Sequence, residues 1–149
     1  MEQHLNESIR AIKIVYAGLV IGVILFLLIS IYIVNFMGAL PSFDNNFSNT
    51  LLIISNIFGL IAISFGFFIF NRIMAQIENN NVDQKIAKFR SAMITRAACQ
   101  EGSAFLFMVC YLLTRNSYMI IESGIILLIM ISLFPTNQRI SNAIHEELN

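Results

Sequence analysis

Four long apolar stretches dominate this sequence and restrict the folds that it can adopt. They cover about residues 14–37, 51–73, 92–113 and 118–134, and most charged side chains lie between them or in the two tails. A helix needs about 20 apolar residues to cross a hydrocarbon layer of about 30 Å. The pattern therefore predicts an all-α membrane protein with four transmembrane helices.

Composition and length support this class of protein. Hydrophobic residues make up 57% of the 149 residues and charged residues only 12%, whereas soluble proteins average about 25% charged residues. The segments outside the apolar stretches are too short to bury a soluble core, so residues 1–149 are expected to form a single integral membrane domain. The net charge is zero, which argues against a nucleic-acid partner because such binding needs clustered Lys and Arg.

The distribution of Lys and Arg predicts the orientation in the membrane. Basic residues are concentrated in the N-terminal tail, in the linker at about residues 76–88 and in the C-terminal tail, whereas the other connections hold only Arg115. By the positive-inside rule, both termini and the linker are cytoplasmic. We expect a multi-pass protein of a bacterial inner membrane.

The connections predict two helical hairpins. The linker contains Asn79, Asn80 and Asn81 and is typical of a mobile connection between the two halves. The turn at 114–117 is so short that the third and fourth helices must be antiparallel, with Asn116 or Ser117 capping the fourth.

A short amphipathic helix is predicted at the C-terminus. After Pro135, the apolar residues Ile140, Ile144 and Leu148 follow one another at intervals of four, so they share one helical face. Such a helix lies on the inner membrane surface or, alternatively, binds a partner.

Small residues mark the expected contacts between helices. Close approach at such residues drives helix association in lipid, although small residues are also simply frequent in membrane helices. In the first two apolar stretches they recur at helical spacing, and the predicted helix-packing residues are Gly18, Gly22, Ser55, Gly59, Ala62 and Gly66.

Glu101 is the main candidate for a functional residue. Counted from Leu113, it lies about 18 Å below the outer boundary and so near the bilayer centre. An ionised side chain there is costly, so the carboxyl must be paired, hydrated or protonated. Ser64 has the same predicted depth and is a candidate hydrogen-bond partner, whereas Arg96 is about 140° away around the helix and is expected to extend to the inner interface.

A second polar layer is predicted nearer the outer surface. Glu122 is about one turn inside the fourth helix, and Asn56 and Ser30 have similar depth. We interpret this layer as a structural hydrogen bond or an interfacial pair, because a glutamate in the first turns of a helix also meets the favourable end of the helix dipole.

The segment 93–109 resembles the second helix of the c subunit of rotary ATP synthases. In that family, a carboxylate within the membrane takes up and releases the coupling ion. The resemblance implies that Glu101 is this carboxylate and that the preceding polar linker is the loop of that family. The chain as a whole resembles small four-span inner-membrane proteins.

These observations favour a non-enzymatic four-helix membrane protein, an accessory or assembly subunit. Its expected partners are the lipid bilayer and a second copy or another membrane protein. The alternative is a small proton- or ion-coupled transport protein, or a c-subunit-like proteolipid, that uses Glu101. The sequence contains no HExxH or GxSxG pattern and no metal-ligand or cofactor motif.

Overall fold

A computed structural model describes residues 2–36, 44–77 and 81–144 of the chain. Every regular element in these residues is a helix. The five helices are α1 (Glu2–Phe36), α2 (Asn45–Met74), α3 (Val82–Thr114), α4 (Ser117–Ser132) and α5 (Asn137–Ile144).

Three of the helices can cross a membrane unaided. α1, α2 and α3 are each long and apolar enough to do so. α4 has 16 residues, which span only about 24 Å. The axis of α5 is bent by 73° from that of α4, so the described chain has three candidate spans, or four if this bent pair forms one.

α3 is the central helix of the bundle. Its most extensive contact is with α2, and it also packs against α1, α4 and α5. α1 and α2 hardly contact each other. The expected first hairpin of α1 packed on α2 is therefore wrong, because α3 takes the place between them.

The α2–α3 contact is formed through small residues of α2. A Cβ atom on Gly59 would lie 2.9 Å from the Phe107 ring, and one on Gly66 would lie 3.0 Å from the Cys99 Cβ. Ser55, on the same stripe, is also buried. The missing side chains let the two backbones approach closely, which is how helices associate in lipid. Gly59 and Gly66, two of the predicted packing residues of α2, thus lie in a contact within the chain.

The predicted glycine pair of α1, Gly18 and Gly22, does not form a close contact of this kind at Gly18. The space around Gly18 is open, with no atom of another helix within 4 Å of a Cβ placed there. α1 is held instead by larger side chains. The Tyr16 hydroxyl donates a buried hydrogen bond of 2.7 Å to the Met130 carbonyl of α4, and the Phe26 and Phe105 rings meet edge to face at 5.1 Å.

The turn between α3 and α4 is formed as its length predicts. Arg115 adopts a left-handed conformation with φ 56° and ends α3. The Asn116 side chain then accepts a 3.1 Å hydrogen bond from the Tyr118 backbone N–H, so Asn116 is the predicted cap of α4.

The helices extend beyond the apolar stretches at the end of the bundle where α1 and α3 begin, which we call the basic end. α1 begins at Glu2 and α3 at Val82, so much of the predicted linker is helical. These extensions are amphipathic and bury apolar side chains against one another and against α5. The buried residues at this end are Ile9, Ile12, Ile77, Ile86, Phe89 and Ile140.

The predicted C-terminal helix corresponds to α5. Ile140 is fully buried in the core, and Lys13 of α1 donates a hydrogen bond of 2.5 Å to Asn137. The apolar face predicted from Ile140, Ile144 and Leu148 therefore packs on the bundle at Ile140. Leu148 and the side chain of Ile144 lie outside the described part of the chain.

The α2–α3 contact generates a matched pair of substitutions. We expect Gly66→Ala to lower the free energy of unfolding by about 1–3 kcal/mol, because the added methyl group meets Cys99 and the Arg96 backbone. Gly18→Ala has open space, so we expect it to be neutral or stabilising by up to about 1 kcal/mol through helix propensity. Unfolding by sodium dodecyl sulfate, followed by circular dichroism, measures both. Equal effects of the two substitutions would contradict the assignment of the contact.

Candidate functional site

Glu101 lies where α3 packs beside α1, at a junction that we call the α1–α3 crevice. One of its carboxyl oxygens is 3.6 Å from the position of a Cβ on Gly22, so the group rests against the backbone of α1. The side chain is only partly buried. Within the described residues, no hydrogen bond or ion pair links it to another group.

The crevice is closed on one side of Glu101 by an aromatic contact. Phe105 is one turn beyond Glu101 on α3, and Phe26 is one turn beyond Gly22 on α1. Their rings meet at 5.1 Å with an interplanar angle of 77°. The two rings therefore form an apolar contact next to Glu101, on the side of Glu101 that is farther from the basic end.

A cavity of about 640 Å³ opens on the other side, at the basic end. Asp83 and Glu101 are 18 residues apart, which makes about five helical turns, so they share one face of α3. Ile94, on the same face, is the lining residue nearest to Glu101, about 10 Å away along the axis. The lining residues are Ser8 of α1 and Asp83, Ile86, Ala87, Arg90, Ser91 and Ile94 of α3.

Ser64 is not a partner of Glu101, contrary to the sequence prediction. It is exposed and lines an open groove with Leu60 and Phe68 on the outer face of α2. The α2 residues that face α3 include Gly59 and Gly66, and Ser64 is about 140° or more away from both around the helix. Equal depth was predicted from residue counting, but depth does not fix the direction of a side chain.

Two of the three residues of the predicted second polar layer lie close together. Asn56 of α2 and Glu122 of α4 line one groove of about 250 Å³, with Phe107 of α3 also in its wall. One carboxyl oxygen of Glu122 is buried and has no hydrogen-bond partner among the described residues. Ser30 is fully buried elsewhere on α1 and is not part of this groove.

The structure places Arg96 differently from the sequence prediction. Only 6% of it is exposed, so it does not extend to an interface. Its guanidinium carbon lies 4.2 Å from the centroid of the Phe70 ring and 5.5 Å from that of Phe67. One terminal nitrogen donates to the Met93 sulfur at 3.0 Å. The aromatic run at the end of α2 was the signal that could have indicated this cation–π site.

Several polar atoms are buried within the bundle without hydrogen-bond partners among the described residues. Gln100, one turn beyond Arg96 on α3, is fully buried, and both polar atoms of its side chain are without partners among the described residues. The Arg96 Nε atom and the Ser123 hydroxyl are also buried without hydrogen-bond partners among the described residues. The buried face of α3 thus carries polar side chains through an apolar bundle, where unpaired polar groups are costly.

Comparisons with known proteins do not place the chain in a family. No protein family, curated protein or solved structure matches it. The resemblance of residues 93–109 to the ATP synthase c subunit therefore stays a prediction. In the described part of the chain, no group of three His, Cys, Asp or Glu side chains is placed to hold a metal ion.

The arrangement offers two distinct chemical possibilities. Glu101 is a partly buried carboxyl between α1 and α3 without a partner among the described residues, and Glu122 with Asn56 provides hydrogen-bond acceptors in an apolar groove. Arg96 is separate from both, because its cation is enclosed by the aromatic rings of α2.

The burial of Arg96 generates a stability prediction. A cation–π contact contributes about 0.5–2 kcal/mol, whereas burying an ion costs several kcal/mol. We expect Arg96→Met to leave the free energy of unfolding unchanged or to raise it by up to about 2 kcal/mol, since an apolar side chain of similar volume avoids this cost. Unfolding in sodium dodecyl sulfate measures it.

Arg96→Lys is the control, because it keeps the charge but not the planar group that stacks on Phe70. It should be less stable than the wild-type protein. A loss of about 3–5 kcal/mol in Arg96→Met would contradict this account and would show that the guanidinium is paired with an anion.

Proposed function

We propose that this chain is a non-enzymatic integral membrane subunit that binds a transmembrane helix of another protein along the α1–α3 crevice. The observation that carries the proposal is the Glu101 carboxyl, which lies partway along an apolar helix without a partner among the described residues. A carboxyl in that environment gains most from a basic or hydrogen-bonding side chain supplied from outside.

The surroundings of Glu101 support a helix as the occupant. Gly18, Ala98 and Gly102 are exposed near it, and the space at both glycines is open. α1 and α3 run in the same direction with Gly22 beside Glu101, so Gly18 and Ala98 have similar depth. Short side chains on both helices leave room for the close backbone approach that helix association in lipid requires.

The charge pattern favours a different protein over a second copy. A second copy would have to offer a cation at the depth of Glu101. The nearest described cation of this chain in the sequence is Arg96, which is buried against Phe67 and Phe70. The proposed partner is therefore a helix with a Lys or Arg near its midpoint.

The positions of the basic residues support the orientation that we propose. Arg10, Lys13, Lys88 and Arg90 lie on the helical extensions at the basic end. The positive-inside rule assigns that end to the cytoplasm. Both termini are then cytoplasmic, and a bacterial inner membrane is the proposed location.

A synthetic transmembrane peptide tests the helix-binding proposal. We would measure energy transfer between the labelled protein and a peptide of about 20 Leu and Ala residues with one central Lys. A second peptide has Leu in place of the Lys. We expect the Lys peptide to bind about 3- to 30-fold more tightly, the range of polar contacts between membrane helices. Glu101→Gln should remove most of this preference.

Glu122→Gln is the matched control for that experiment. It removes a carboxyl from a different face of the bundle and should leave the preference for the Lys peptide intact. Equal binding of the two peptides, or an undiminished preference in Glu101→Gln, would overturn the proposal.

The cavity at the basic end favours a second candidate function, proton- or ion-coupled transport. Asp83, Arg90 and Ile94 line that cavity on the face of α3 that also carries Glu101. This arrangement is suitable for access to the carboxyl from one side, with the Phe26–Phe105 contact closing the other.

Proton flux in proteoliposomes, recorded with an enclosed pH indicator, tests the transport function. A proton carrier should lose flux in Glu101→Gln while its circular dichroism spectrum is unchanged, because an amide does not exchange a carboxyl proton. Flux equal to that of protein-free vesicles in the wild-type protein, or undiminished flux in Glu101→Gln, would eliminate this function.

A further inference from the structure

The groove that contains Asn56 and Glu122 follows from the way the helices pack. α2 and α4 both pack against α3 but hardly contact each other. The gap between them is bordered by Phe107 of α3, and Gly59 of α2 adds no side chain to fill it. A groove of about 250 Å³ remains.

The lining of the groove has an apolar part and a polar part. Most of its lining is aliphatic, from Leu60 and Ile63 of α2 and Ile125 and Ile129 of α4. The polar lining residues are Asn56 and Glu122. Glu122 is five residues into α4, so it lies about 7–8 Å from the beginning of that helix. The polar part is thus near the end of the bundle opposite the basic end, and the aliphatic walls continue inward.

The polar part presents hydrogen-bond acceptors. One oxygen of Glu122 is buried with no hydrogen-bond partner among the described residues. The Asn56 amide nitrogen donates to the Leu52 carbonyl at 3.0 Å, which leaves its side-chain oxygen as the group to offer a ligand. A matching ligand must therefore supply N–H or O–H donors at one end and an apolar chain at the other.

We propose that this groove binds a membrane lipid with a primary-amine headgroup, of the phosphatidylethanolamine type. The ammonium group donates hydrogen bonds to Glu122 and Asn56, and one acyl chain lies against Ile63, Ile125 and Ile129. An ammonium is complementary to the carboxylate in charge as well as in hydrogen bonding, and charge-assisted hydrogen bonds are the stronger ones. The site is independent of Glu101 and of the proposed helix binding.

Two lipids that differ only in the methylation of the headgroup amine test the proposal. Phosphatidylethanolamine and phosphatidylcholine have the same net charge and are available with the same acyl chains, but the quaternary amine of the second has no N–H. We would reconstitute the protein in nanodiscs with equal amounts of both and count the retained lipids by native mass spectrometry.

The wild-type protein should retain phosphatidylethanolamine at least about threefold more than phosphatidylcholine, since polar contacts in membranes reach at least this strength. Glu122→Gln should reduce the ratio towards one, because it replaces the charged acceptor. Glu101→Gln should leave the ratio unchanged. Ile125→Trp fills the groove from α4 and should reduce the retention of both lipids.

Equal retention of the two lipids by the wild-type protein would overturn the proposal, as would an unchanged ratio in Glu122→Gln. If Glu122→Gln fails to fold, Ile125→Trp still decides. Its position is exposed on α4, and undiminished retention of phosphatidylethanolamine in that variant would show that the lipid binds elsewhere. None of these outcomes depends on whether a partner helix binds at Glu101.

Discussion

α3 packs against each of the other four helices, and these contacts hold the bundle together. Lipid is as apolar as the side chains that face it, so the helices gain little from hydrophobic burial and associate through shape and polar contacts. α2 approaches α3 at Gly59 and Gly66, whereas α1 and α4 are joined through Tyr16 and Met130. Because α2 packs on α3 and hardly contacts α1 or α4, gaps remain on both sides of α2.

These gaps determine what the polar side chains can do. Arg96 and Gln100 are on the buried face of α3 and are enclosed. Glu101 is on the side towards α1, in a crevice that remains partly open, and Glu122 borders the groove between α2 and α4. The same packing that buries one set of polar groups leaves two carboxyls at surfaces that lipids or other helices can contact. Both of our binding proposals follow from this separation.

Much of the architecture could be predicted from the sequence. The apolar stretches gave the long helices, the four-residue turn gave the antiparallel α3 and α4, and Asn116 was one of two expected caps. The pairing of helices could not be predicted, because α1 and α2 are adjacent in the sequence and nothing in their composition shows that α3 lies between them. Counting residues predicts that Ser64 is at the same depth as Glu101, but it cannot predict that Ser64 lies on the face of α2 that points away from α3. Arg96 was misplaced since a long basic side chain can extend to water or stack on aromatic rings, and only the position of Phe70 decides between these.

Both functions that we propose require Glu101 to be an accessible carboxyl that has no partner within the described part of the chain. Labelling of the purified, partner-free protein in lipid vesicles with a hydrophobic carbodiimide, quantified at Glu101 by peptide mass spectrometry across a range of pH, tests this requirement, because the reagent modifies protonated carboxyls that it reaches from lipid. We expect strong labelling of Glu101 at neutral pH that decreases as the pH is raised, and protection when the Lys-containing helix is bound. Absence of labelling at every pH in the purified, partner-free protein would contradict the account, since the carboxyl would then be enclosed or ionised beside a cation.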